Sequence, residues 1–159
     1  MARLHALVVA TVVAAAAPAA AELIAIPSST ATLELGTGWT PVTAAGIVVG
    51  SRSERGLVLA VTRAQVPNLD AWRARKREAY ADDIERGISA AITGYRRTSR
   101  TLTEVRGVPV LDLEGRRPDG TTVVLRFVLY RTYALALALE IPRSGDIAPA
   151  RAIAASFTP

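Results

Sequence analysis

Residues 97–141 read RTSRTLTEVRGVPVLDLEGRRPDGTTVVLRFVLYRTYALALALEI, four strand-length apolar runs divided by short turns, and this stretch decides the fold. If Arg106-Gly107 is a two-residue hairpin turn, Leu102 falls opposite Leu111. A three-residue loop at Pro118-Asp119-Gly120, with Gly in the left-handed position, pairs Arg117 with Thr121. It thereby sets Leu111 opposite Phe127, Leu113 opposite Leu125 and Asp112 opposite Arg126. Apolar meets apolar on one face, and opposite charges meet on the other. The last run, Tyr133 to Ile141, places Leu135, Leu137 and Leu139 in the same odd parity as Leu125, Phe127 and Leu129. That parity predicts an odd number of residues in the connection near Thr132, with Ala134, Ala136 and Ala138 on a face that a helix or second layer can approach closely.

Upstream, Ile47 to Arg52 and Leu57 to Arg63 form a further hairpin around Ser53-Glu54-Arg55-Gly56, with Leu57, Leu59 and Val61 inward. Ala31 to Leu35 is a short strand that stops at Gly36-Thr37-Gly38, and Trp39 follows as a ring to cap the core. Leu23 to Thr30 reads as an extended lead-in. Asn68 is positioned to cap a long helix running to about Ile92. Its stripe is Leu69, Trp72, Tyr80, Ile84, Ile88 and Ile92, and Gly94 stops it. Asp146 opens a closing helix, Ile147 to Phe157. These elements define one α+β domain: a mainly antiparallel sheet of about six strands covered by one long helix and a C-terminal helix.

Arg3, the apolar run Ala6 to Ala17 and Ala19-Ala20-Ala21 have the plan of a secretory signal over residues 1–21, leaving a single domain at 22–159. The run is shorter than the roughly 20 residues of a membrane-spanning helix. Retention of the segment as an N-terminal anchor is the alternative to cleavage, and no later window approaches membrane length. Export to a periplasmic or extracellular location follows. The leader holds His5 and Met1, the one histidine and the one methionine, and the chain has no cysteine. Beyond residue 21, 18 Lys and Arg face 14 Asp and Glu, and all of those cations but Lys76 are arginine. Such a balance attracts anions weakly and is equally an ordinary solvated surface.

This composition excludes much chemistry. Nucleophilic triads that need His or Cys are ruled out in residues 22–159. Lys76 has no Ser three residues before it, and no phosphate-cradling glycine motif occurs. No metal site and no cofactor are expected. Carboxylate pairs stay open, since Asp112 and Glu114 project from one face of one strand, about 7 Å apart by strand geometry. An ordinary ion pair of Asp112 with Arg126 is the simpler expectation. Asp82, Asp83 and Glu85 lack the loop oxygens of a calcium site. Arg73, Arg75, Lys76 and Arg77, joined by Arg96, Arg97 and Arg100, form the basic cluster. Nucleic acid is not the expected partner, because Trp72 and Tyr80 lie on the buried stripe instead of among these cations.

The order of elements, with Gly36 to Trp39, then Gly107-Val108-Pro109-Val110, then Ser156-Phe157, resembles the PsbP-like family. That family is an α/β/α sandwich on an antiparallel sheet, found in photosystem II extrinsic subunits, a Ran-binding import factor and many small exported bacterial proteins. The resemblance covers nearly all of residues 22–159 and implies a non-enzymatic binding or assembly module. The histidines linked to metal retention in photosystem-associated members are missing, so no family residue carries over. The expected function is thus an exported module that binds a protein or envelope component. Its candidate surfaces are the face bearing Asp112, Glu114, Arg126 and Tyr130 and the helix face bearing Arg73, Arg75 and Arg77. A small carboxylate-dependent hydrolase and a basic module for an anionic surface are the alternatives, and an Ala134, Ala136 and Ala138 face docking onto a flat partner is a further one. The partner and the oligomeric state are not legible in the sequence.

Overall fold

A computed structural model describes residues 21–65 and 75–159. Residues 1–20, which hold nearly all of the expected secretory signal, and residues 66–74, which include the expected helix start, lie outside the described residues. Nine strands and two helices are described: β1 (Glu22–Ala25), β2 (Thr32–Leu35), β3 (Trp39–Pro41), β4 (Ile47–Ser53), β5 (Val58–Gln65), α1 (Arg77–Ala91), β6 (Arg96–Val105), β7 (Val108–Arg116), β8 (Thr122–Leu129), β9 (Tyr133–Ile141) and α2 (Ala148–Ser156). The main sheet has seven antiparallel strands in the order β3-β4-β5-β9-β8-β7-β6, one more than the six expected from apolar runs. The extra strand, β3, carries Trp39, whose ring packs at the edge of the core. β1 and β2 form a separate two-stranded ribbon, so the expected lead-in is itself a strand at Glu22–Ala25.

Turn chemistry sets the meander. Arg106 and Gly107 both take positive φ, +51° and +79°, the two-residue hairpin geometry whose twist matches its flanking strands. Leu102 therefore lies opposite Leu111, and the Pro118-Asp119-Gly120 loop brings Leu111 to Phe127, Leu113 to Leu125 and Asp112 to Arg126. The odd-numbered connection between the last two strands is overturned. Leu129 pairs with Ala134, Phe127 with Ala136 and Leu125 with Ala138, with four residues between the paired ends. The reason is burial of both sheet faces: β8 is apolar in both parities, so matching apolar residues does not select a register.

The two faces carry separate cores. Leu57, Leu59, Val61, Val110, Val124, Val128, Leu135, Leu137, Leu139 and Ile141 pack beneath α2 and the β1–β2 ribbon, together with Ile26, Leu33, Leu35 and Phe157. On the opposite face Leu111, Leu113, Val123, Leu125, Phe127 and Leu129 meet Tyr80, Ala81, Ile84, Ile88 and Ile92 of α1 and the residues after it. Ala134, Ala136 and Ala138 lie on this second face beside the large side chains of β8, and the small volume lets the helix layer approach. The apolar stripe of α1 is the expected one from Tyr80 to Ile92. Its described N-terminal boundary differs from the reading, because Arg75 and Lys76 form a turn and regular helix begins at Arg77.

Candidate functional site

The polar residues of the central strands gather where α2 crosses the sheet. In β7 the even-numbered side chains Asp112 and Glu114 point to the α2 face, and the register puts Arg126 of β8 beside Asp112. Arg126 is 9% exposed, Nε stands 3.5 Å from Asp112 Oδ1, and Nη1 donates to the carbonyl oxygen of Ala154 in the last turn of α2 at 2.8 Å. A cation is favoured there, because the last turn of a helix carries the negative end of its dipole, and the Ala154 carbonyl, which also accepts from the Phe157 N–H at 3.1 Å, has a second lone pair for the guanidinium. Glu114 is gripped by Arg151 of α2 through two parallel bonds, Nε at 2.6 Å and Nη2 at 2.8 Å. Two arginines, one from the sheet and one from the helix, thus bind the two acids and clamp α2 in place.

The two carboxyls are pushed in opposite directions. Burial raises Asp112 above the ordinary carboxylate value, Arg126 works against that shift and the charge of Glu114 adds to it. The bond from Arg151 holds Glu114 below its ordinary value. Separation of this kind marks acid and base roles in some enzymes and ordinary ion-pair networks in many proteins. The concavity beside them, about 220 Å³, is lined by Ser99, Thr101, Asp112, Glu114, Arg126 and Arg151 among others. It falls below the roughly 300–1,000 Å³ of small-molecule sites.

The other candidates are dispersed. Tyr130 stands about 13 Å along the strand direction from Arg126 by strand rise. It stacks on Tyr133 at 4.6 Å between centroids and shares a 3.2 Å hydrogen bond with Thr30, and burial raises its pKa. Arg63 covers the far ring, 3.8 Å from the Tyr133 centroid, and donates to the carbonyl of Ser28. Arg73 lies outside the described residues. Arg75 is exposed in the turn before α1, and Arg77 donates to Glu104 of β6 at 2.7 Å. Arg97 and Arg100 bind Glu85, Glu78 and Asp82 of α1, which pairs these two cations with acids of the helix. The described residues contain no group of three or more metal-ligating side chains.

Arg151 and the Ala154 carbonyl escaped sequence reasoning, as did Arg116 and Arg143, which line a larger groove at the start of α2. Glu114 and Arg151 are 37 residues apart, and no local periodicity links them.

No family model matches the chain, and no curated protein matches it. Solved structures do. The solution structure of cyanobacterial PsbP (CyanoP) from Synechocystis sp. PCC 6803 superposes with a TM-score of 0.68 at 14% identity, covering 88% of this chain and 92% of that one. A Pseudomonas aeruginosa protein of unknown function is similar with a TM-score of 0.49 at 15% identity, over 87% of this chain and 96% of its own. The fold is PsbP-like.

Proposed function

We propose that this chain is an exported, non-catalytic binding or assembly module that engages a protein or envelope component. One observation carries the reading: each of the two acids best placed for catalysis is bound by an arginine that holds α2 to the sheet. Engaging Glu114 with a substrate would break its two bonds to Arg151 of α2, and engaging Asp112 would leave the buried Arg126 without its carboxylate. The absence of His and Cys from residues 22–159 supports the same reading. The signal-like leader supports export.

The test sets the wild-type chain and Asp112→Asn and Glu114→Gln variants against fluorogenic ester, glycoside and peptide substrates. No turnover above buffer is expected from any of them. Turnover by the wild type that disappears in either variant overturns the reading in favour of a carboxylate-dependent hydrolase. Its binding half is tested by photo-crosslinking from exposed positions in cells, where one discrete adduct in the envelope fraction is expected.

A further inference from the structure

Beside the clamp, at the end of the sheet where α2 begins, lies a groove of about 730 Å³. Arg116 comes from the end of β7, Arg143 from the connection between β9 and α2, and Arg151 from α2 itself. Glu114 is the one carboxylate in the lining, and its charge is already matched by Arg151. Among the described residues Arg116 and Arg143 form no ion pair, which leaves the groove with two uncompensated positive charges.

Two features show that these charges are built in at a cost. Arg116 lies directly opposite Arg96 in the β6–β7 register, and like charges at facing positions destabilise a strand pair. Arg143 is seated across the loop between β7 and β8: a Cβ added at Gly120 would stand 2.9 Å from its Cδ and 3.0 Å from its Cγ. Only a glycine, here at φ +88°, leaves room for the stem of that arginine. The hydroxyls of Thr98, Ser99 and Thr122 line the same space.

We infer that this groove is a phosphate-binding site, with Arg116 and Arg143 as the primary ligands and the hydroxyls as secondary donors. Guanidinium forks match the paired oxygens of a phosphate group, and a multiply charged oxyanion offsets the mutual repulsion of the Arg116 and Arg143 charges that share the groove. The groove is much larger than one phosphate, so the group arrives on a larger molecule, either a soluble phosphorylated metabolite or a phospholipid headgroup. This deepens the binding-module reading and rests on it.

The test uses the chain with inorganic phosphate as the probe in an NMR titration, and vesicles of phosphatidylglycerol against phosphatidylcholine in a sedimentation assay. Phosphate is expected to shift the amides of Thr98, Gly120 and Gly145. Arg116→Gln and Arg143→Gln should each weaken binding about tenfold, whereas Arg75→Gln leaves it unchanged. Retention on phosphatidylglycerol that disappears in the Arg116→Gln/Arg143→Gln double variant assigns the headgroup; phosphate binding without retention assigns a soluble ligand. Absence of shifts at saturating phosphate together with variant-insensitive sedimentation overturns the proposal, as do shifts centred on α1. Substrate turnover would sink the module reading and leave these binding results standing, so the two failures are distinguishable.

Discussion

Arg126 Nη1 donates to the carbonyl oxygen of Ala154 at 2.8 Å while its Nε faces Asp112 at 3.5 Å, so one buried guanidinium joins the middle of the sheet to the C-terminal turn of α2. It is the one charged side chain in the described core.

Removing that guanidinium strands Asp112 and takes one of two donors from the Ala154 carbonyl. Arg126→Ala is expected to cost about 2–4 kcal/mol, because Asp112 stays half-buried without its cation and the Ala154 carbonyl keeps only the Phe157 N–H of its two donors. Urea unfolding measures the loss. The double variant Arg126→Met with Asp112→Leu should recover most of it, because an apolar pair of similar volume requires no desolvated charge.

The acid response follows from the two opposed carboxyls. Glu114 is lowered in the folded chain, so its contribution is present above the unfolded value of 4.5 and disappears as pH falls through the lower folded value. Asp112 is raised above 3.8, so it binds its proton more tightly when folded and opposes stability as pH rises through that window. Glu114→Gln should therefore flatten the loss of stability on acidification, and Asp112→Asn should steepen it. Chemical denaturation at a series of pH values between about 2 and 6 reads both slopes.

Ala81, fully buried, is where α1 meets the sheet. Ala81→Leu is expected to cost about 1–3 kcal/mol by overpacking. Hydrogen exchange should accelerate in α1 and stay unchanged in α2, since the helices serve cores on opposite faces.

Phe157 closes the other core. Its side chain is fully buried, and the next residue, Thr158, exchanges backbone hydrogen bonds with Thr32 of β2. Phe157→Ala should lower stability by about 3–5 kcal/mol and loosen the β1–β2 ribbon, which the same exchange experiment detects in the amides of Leu33 and Leu35.

The ion pairs of Arg100 with Glu78 and Asp82 hold α1 to the edge strand β6 from partly exposed positions. Arg100→Ala should cost no more than about 1 kcal/mol, and less at high salt, where such pairs are screened.

Much of this was legible in advance for local reasons. Turn residues dictate hairpin geometry, so Arg106-Gly107 placed Leu102 opposite Leu111 and Pro118-Asp119-Gly120 placed Asp112 opposite Arg126 without knowledge of the fold. The stripe Tyr80, Ile84, Ile88 and Ile92 was readable because helical period is a property of neighbours along the chain. The β8–β9 register was not readable. A strand apolar in both parities offers no penalty for slipping by one, and the true partner of Phe127 is Ala136 because helices cover both faces.

The sequence by itself determined the alternation of strands and helices, the two hairpins at Arg106-Gly107 and Pro118-Asp119-Gly120, and the lack of sulfur and imidazole chemistry beyond residue 21. Each of these depends on residue identity or on spacings of a few positions. Only the tertiary structure decided that Arg151 reaches Glu114, that Arg126 reaches Ala154, and that Arg116 and Arg143 share a groove. Those meetings join residues 27 to 37 positions apart, and they exist because burying two opposite sheet faces brings α2 down across strands that no local pattern connects to it.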